Sequence, residues 1–259
     1  MRRPFVMKIQ KVSEERDSKI ILALDVSSRV KNENDVRELY KRAKSILDET
    51  EQFIAGLKVN FQLLLPLGLY GYLQEVLGAA REYGLPTIID CKINDVEHTN
   101  KWAATHFFDA GFDALTANPF TGWDGGLKGV FDEARRRERG VILLVYMSHY
   151  GAEENYGREI VLSDGRIKPY YKFFAEKAVE WGADGVVVGA TRPNVISEVR
   201  ILLPKEIPIF SPGVAVQGGE IEAVFKAGTD YAILGRTVCE AKNPRETIKW
   251  YVDRVKKIL

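Results

Sequence analysis

The feature that most constrains this chain is a recurrence. Short apolar runs rich in β-branched residues alternate with longer stretches of helical periodicity. The runs fall at 20–25, 53–59, 86–92, 114–117, 141–147, 185–189, 207–211 and 231–235. Several are almost continuously apolar, the pattern of parallel strands covered on both faces by helices. Between them, segments such as 36–47 and 172–181 carry helical spacing. Gly-Ala-Asp at 182–184 and Gly-Thr-Asp at 228–230 repeat one device, in which glycine closes a helix and the chain re-enters a strand. Strand-then-helix units without a linker predict an α/β fold of one domain, a (β/α)8 TIM barrel over residues 20–259. An open doubly wound sheet is the alternative. Residues 1–19 read as a polar N-terminal extension. The stretch 151–169 is the least regular, with a turn at Ser163-Asp164-Gly165-Arg166 and no functional reading.

Composition excludes some classes of function. The 37 basic and 36 acidic residues leave a net charge of +1, which gives no support to nucleic-acid or membrane-surface binding. Cys91 and Cys239 are the only cysteines, too few for a disulfide framework or a zinc-ligand spacing, so a reducing interior is expected. No uninterrupted apolar run approaches the ~20 residues of a membrane span. The N-terminus lacks a signal-peptide pattern. A cytoplasmic location is the expectation.

In a barrel of this kind the chemistry lies at the C-terminal ends of the strands. The first candidate strand ends in Asp25, the second in Lys58, and the third carries Asp90 and Lys92. The fifth runs into Ser148, the seventh into Ser211-Pro212-Gly213, and the eighth into Gly235-Arg236. Strand alternation puts Asp90 and Lys92 on one face and Cys91, chemically idle, on the other. Asp95 follows near the start of the next helix, with Thr99 one turn later on the same side. A lysine among carboxylates favours its ammonium form, and so suits a general acid better than a Schiff-base nucleophile. Taken alone, the D-x-K-x-x-D element is more often a solvated charge cluster, with Asn94 or Asp95 as helix cap.

A second signal is a candidate phosphate site. The stretch SPGVAVQGG (211–219) follows the seventh strand and LGRT (234–237) closes the eighth. Glycines let backbone amides approach an anion, and Arg236 can fork onto phosphate oxygens. Alone, this too reads as a flexible loop.

The motifs ALDV with Asp25, GLKV with Lys58, DCKINDVEHT, YMSHYGAE, PGVAVQGG and ILGRT occur in this order over most of the chain. In this they resemble the orotidine 5′-phosphate decarboxylases. D-x-K-x-x-D alone also fits the related sugar-phosphate lyases; its combination with Lys58, Ser148, Gln217 and Arg236 is more specific. The resemblance implies a cofactor-free and metal-free decarboxylase, a nucleotide substrate, and a homodimer with shared active sites. Lys58, Asp90, Lys92 and Asp95 then form the charged catalytic array, Asp90 beside the departing carboxylate and Lys92 giving the proton to C6. Asp95 and Thr99 reach across from the partner subunit. Asp25 and Lys58 bind ribose, Ser148 the pyrimidine, Gln217 pyrimidine and phosphate, and Gly235 and Arg236 the phosphate. Pro212 joins the substrate-binding set. Asn60 stands where a glycine is common, and the segment after Gly151 is longer than usual.

Two other functions are weighed against this. A metal-dependent sugar-phosphate lyase is expected to carry an acidic ligand near the end of the second strand, where this chain has Lys58. A non-catalytic phosphate-ligand binder on a barrel gains nothing from a crowded charge array.

Overall fold

The strand runs close on themselves. The structure is a computed structural model and describes residues 3–214 and 220–259. The strands are β1 (Ile20–Leu24), β2 (Gly56–Asn60), β3 (Thr87–Ile93), β4 (Ala114–Ala117), β5 (Gly140–Tyr146), β6 (Glu159–Val161), β7 (Ile167–Pro169), β8 (Gly185–Val188), β9 (Ile209–Pro212) and β10 (Tyr231–Leu234). All but β6 and β7 are parallel and form a closed barrel in the order β1-β10-β9-β8-β5-β4-β3-β2. All eight expected strands are present. Most sit within one or two residues of their expected limits; β2 starts three later. The barrel expectation holds because β1, β4, β5, β8 and β10 are buried along their whole length, as strands covered on both faces must be.

The helices are α1 (Pro4–Glu15), α2 (Glu33–Thr50), α3 (Phe61–Leu67), α4 (Leu73–Glu82), α5 (Glu97–Asp109), α6 (Lys128–Arg136), α7 (Tyr170–Trp181), α8 (Pro193–Leu202), α9 (Ile221–Lys226), α10 (Arg236–Cys239) and α11 (Pro244–Lys256). Gly182 ends α7 in the left-handed conformation at φ 73°, the closing role expected of it. Phe61–Glu82 is the one described stretch that passes a length-and-apolarity test for a bilayer span. It is broken at Tyr70 and Gly71, and the apolar face of α4 is buried.

The N-terminal expectation needs correction. Residues 4–15 are not a polar extension but the amphipathic helix α1, whose Phe5, Ile9 and Val12 join the core. Pro4 opens the helix with φ already set, and the apolar positions recur at i, i+4 and i+7. The Phe5 ring lies where a side chain at Gly140 would stand, 2.7 Å from a Cβ built there. Lys8 reaches Asp113 at 2.7 Å and Arg16 Nη2 donates to the Tyr83 carbonyl at 2.5 Å. The charged residues that made the segment look polar are the outward face of this helix.

The irregular stretch 151–169 is folded. β6 and β7 pair antiparallel around a turn in which Gly165 takes φ 82° and Gly165 N–H donates to the Leu162 carbonyl at 2.9 Å. Phe120, Tyr156, Tyr170 and Phe174 pack together beneath it. The expected turn at 163–166 is therefore the tip of a hairpin, and its function stays unassigned.

Candidate active site

At the C-terminal mouth of the barrel lies a cavity of about 250 Å³. Its apolar part comes from Ile88, Ile142, Leu144, Val187 and Phe210. Its polar wall is built from strand ends: Asp25 after β1, Lys58 and Asn60 of β2, Asp90 and Lys92 of β3, Thr116 of β4, Ser148 after β5, Pro212 of β9, and Gly235 with Arg236 after β10. Most of the expected site residues are thus brought to one opening.

Asp90 is the hub. Its Oδ2 accepts from Lys58 Nζ at 2.5 Å, and its Oδ1 accepts from Lys92 Nζ at 2.7 Å and from Thr116 Oγ1 at 3.0 Å. Burial alone would raise the Asp90 carboxyl, but the ammoniums of Lys58 and Lys92 outweigh it and hold it well below the usual carboxylate range. The two lysines differ in access. The Lys58 side chain is 6% exposed and that of Lys92 38%, so Lys92 is the cation open to a ligand.

Lys92 sits on an irregular backbone. Its φ of 47° is left-handed, rare for a residue with a Cβ, and the β3–β4 register slips between Ile89 and Ile93. Asp90 and Lys92 both line the mouth and Cys91 packs against the core, as alternation expects, but the strand reaches this arrangement through a bulge rather than a regular ladder. Thr116 secures the bulge, since its Oγ1 accepts from Lys92 N–H at 2.9 Å while donating to Asp90. Sequence reasoning passed over Thr116. Its one signal is being the only hydroxyl in the short apolar strand Ala114–Ala117. Cys91 packs against the core, and burial pushes its thiol up to about 12, so it stays inert near neutral pH.

Asp25 stands between two partners. Gln62 of α3 donates to its Oδ1, and Arg236 Nε lies 3.7 Å from its Oδ2. Gly235 packs closely on Asp25, since a Cβ there would stand 3.2 Å from Asp25 Cβ and Oδ2. Ser148 is gripped by the exit of β8: a Cβ on Gly189 would lie 2.6 Å from Ser148 Cα, and Thr191 Oγ1 donates to the Ser148 carbonyl at 3.0 Å. Gly213 follows Pro212 with φ 95°. Gln217 lies outside the described residues.

Asp95 and Thr99 are exposed and do not line the cavity. The expectation of a lysine held among several carboxylates is corrected accordingly: within one chain Lys92 pairs with Asp90 alone. The reason is local. Buried Asn100 accepts from Asp95 N–H at 3.0 Å and donates to the Asp95 carbonyl at 2.5 Å, while the Asp95 carboxylate accepts from Val96 N–H at 2.7 Å. Asn100 also donates to the Gly126 carbonyl at 3.0 Å, tying the segment to the next loop. The cap position of α5 is Val96, so neither Asn94 nor Asp95 caps it. Asn100 is a second residue the sequence reading missed, because a polar residue inside a helix ordinarily faces solvent.

Among the described residues no three His, Cys, Asp or Glu side chains gather as a metal ligand set. The arrangement instead offers fixed charge, a cation presented beside a carboxylate that its two lysines hold ionised near neutral pH. Fold and site together define a (β/α)8 barrel with a charged pocket at its C-terminal mouth, and comparison with known proteins narrows this. Residues 18–251 match the family described as Orotidine 5′-phosphate decarboxylase / HUMPS. The orotidine 5′-phosphate decarboxylase of Pyrococcus furiosus is 35% identical over 238 residues, covering 92% of this chain and 97% of that one. That of Methanosarcina barkeri is 34% identical over 235 residues, covering 91% and 93%. The crystal structure of the Pyrococcus horikoshii enzyme superposes with a TM-score of 0.73 at 32% identity, covering 92% of this chain and 99% of that one. The chain belongs to the orotidine 5′-phosphate decarboxylase / HUMPS family.

Proposed function

We propose that this chain converts orotidine 5′-monophosphate to uridine 5′-monophosphate, with Lys92 as the proton donor to C6 and no metal or organic cofactor. The observation that carries the reading is Asp90 bridged by Lys58 and Lys92 at the cavity mouth. Loss of CO2 from C6 leaves a carbanion in the ring plane, without an adjacent π system to spread the charge. Stabilisation must then come from fixed charge placed where the electrons collect, and Lys92 supplies it before passing on its proton. Asp90 lies beside the departing carboxylate. Asp25 and Lys58 take the ribose hydroxyls, Ser148 the pyrimidine, Gln217 pyrimidine and phosphate, and Gly235 and Arg236 the phosphate, with Pro212 also in the substrate-binding set.

A divalent ion suits this mouth poorly, because both Asp90 oxygens are occupied by ammoniums and β2 carries the buried Lys58 near its end, where a metal-dependent lyase needs an acid. The test is the absorbance of orotidine 5′-monophosphate incubated with the protein, with and without EDTA. Loss of the orotate chromophore at equal rates in both supports the reading. Absence of turnover, or turnover abolished by EDTA, overturns it.

Arg236→Ala should weaken uridine 5′-monophosphate binding by about 2–4 kcal/mol, the worth of a charge-assisted fork to phosphate. Titration calorimetry measures this directly, and the smaller loss expected for uridine itself ties the effect to the phosphate. An unchanged affinity would move the phosphate site elsewhere.

The site is completed in a homodimer, with Asp95 and Thr99 of a second copy closing over the ribose end. Their exposure in one chain fits this. So does the apolar surface beside them: Val96 is 62% exposed, and Tyr70 and Trp102 cluster on His106. Mixing inactive Lys92→Ala with inactive Asp95→Ala should restore about a quarter of wild-type activity, since half of the dimers are hybrids with one intact site. No recovery after demonstrated subunit exchange would mean self-contained sites. The free thiols Cys91 and Cys239 suit a cytoplasmic enzyme.

A further inference from the structure

We infer that Asn60 is a positioning residue that sets the enzyme's preference for a ribose over a deoxygenated sugar, by fixing the one free N–H of Lys58. The inference rests on the reading in which Lys58 meets ribose hydroxyls. An ammonium has three donors in rotating geometry. In Lys58 one is taken by Asp90 Oδ2 at 2.5 Å and a second by Asn60 Oδ1. With two directions fixed on a side chain only 6% exposed, the third can point in one direction only. Both Lys58 and Asn60 line the cavity.

Local structure shows that Asn60 is diverted from an ordinary task. It occupies the cap position before α3, with extended backbone at φ −82° and ψ 154°, where asparagine normally accepts from a backbone N–H of the first turn. Asn32 and Asn243 do so at the starts of α2 and α11. Asn60 makes no such bond. Two-residue periodicity puts it on the same face of β2 as Lys58, and the register sets it opposite Asp90. The residue gives up the helix cap and completes a Lys58–Asp90–Asn60 triangle. The hydrogen bond that Lys58 donates to Asn60 Oδ1 orients the ammonium.

The experiment compares binding of uridine 5′-monophosphate and its 2′,3′-dideoxy analogue by calorimetry, in the wild type, Asn60→Leu and Asn60→Asp. Leucine keeps the volume without an acceptor, and aspartate keeps an oxygen in the same place. Asn60→Leu should reduce the preference for the hydroxylated nucleotide about tenfold, the scale of one hydrogen bond to a charged donor. Affinity for the dideoxy analogue and the melting temperature should stay near wild type. Asn60→Asp should retain most of the preference. If Asn60→Leu does not fold, Asn60→Gly removes the acceptor at the same strand end. A wild-type preference in the acceptor-free variant, or no recovery with aspartate, overturns the inference while leaving the decarboxylase reading intact. Failure of the wild type to bind uridine 5′-monophosphate overturns both.

Discussion

Lys92→Ala should lower decarboxylation at least ~10⁴-fold, the combined scale of a lost general acid and a lost electrostatic donor. Binding of uridine 5′-monophosphate should meanwhile stay within about tenfold of wild type, because phosphate and ribose contacts are untouched. The separation follows from what Lys92 does in the free enzyme. It is one of two cations on Asp90, and Lys58 keeps its own contact at 2.5 Å when Lys92 is removed. Asp90 stays ionised and paired, so the fold should persist and the melting temperature should move little. The loss then belongs to the moment when negative charge appears at C6, because Lys58 is buried and held by both Asp90 and Asn60 whereas Lys92 is the more exposed of the two cations on Asp90. Single-turnover rates together with product affinity check this. Residual turnover within about a hundredfold of wild type would take the proton-donor role from Lys92.

Much of this was legible in the sequence, because a barrel strand must be apolar on both faces until it meets the mouth. Asp25, Lys58, Ser148 and Arg236 therefore stand out as polar residues ending apolar runs, and the structure places each of them at the cavity. What stayed hidden depends on contacts between elements. Thr116 acts through a bulge one strand away, and alternation cannot foresee a register slip. Asn100 looks like a polar helix residue until the loop it fastens has folded over it. Helix α1 was misread because its apolar positions are spread through a charged segment and its partners, among them Gly140 and Phe210, lie far along the chain. Asp95 shows the opposite limit. The sequence brings it within three residues of Lys92, yet one chain turns its carboxylate onto the adjacent backbone, and the catalytic role proposed for it rests on a second copy.

Asp90→Asn should separate two things that Asp90 does at once. In the free enzyme the carboxylate neutralises a buried lysine and a half-exposed one. Removing the charge while keeping the shape leaves Lys58 without a counter-ion, which costs about 3–5 kcal/mol, or roughly 6–10 °C in melting temperature for a chain of this length. Because the ammoniums hold the folded Asp90 below its ordinary value, its contribution is present above that value and is lost as pH falls through the folded one. The melting gap between wild type and variant should thus be constant from about pH 7 to pH 5 and close only below about pH 4. Turnover should fall about 10²–10³-fold, through misplacement of Lys92 and loss of the negative charge beside the substrate carboxylate. The free site itself is not frustrated, since every Asp90 contact is attractive; repulsion begins only when a second carboxylate arrives. If that repulsion helps expel CO2, Asp90→Asn should bind orotidine 5′-monophosphate more tightly than wild type while turning it over more slowly, a fall in KM and kcat together. A fall in kcat with unchanged substrate affinity would confine Asp90 to holding the two lysines, and wild-type kcat with an unchanged melting curve would remove it from the mechanism.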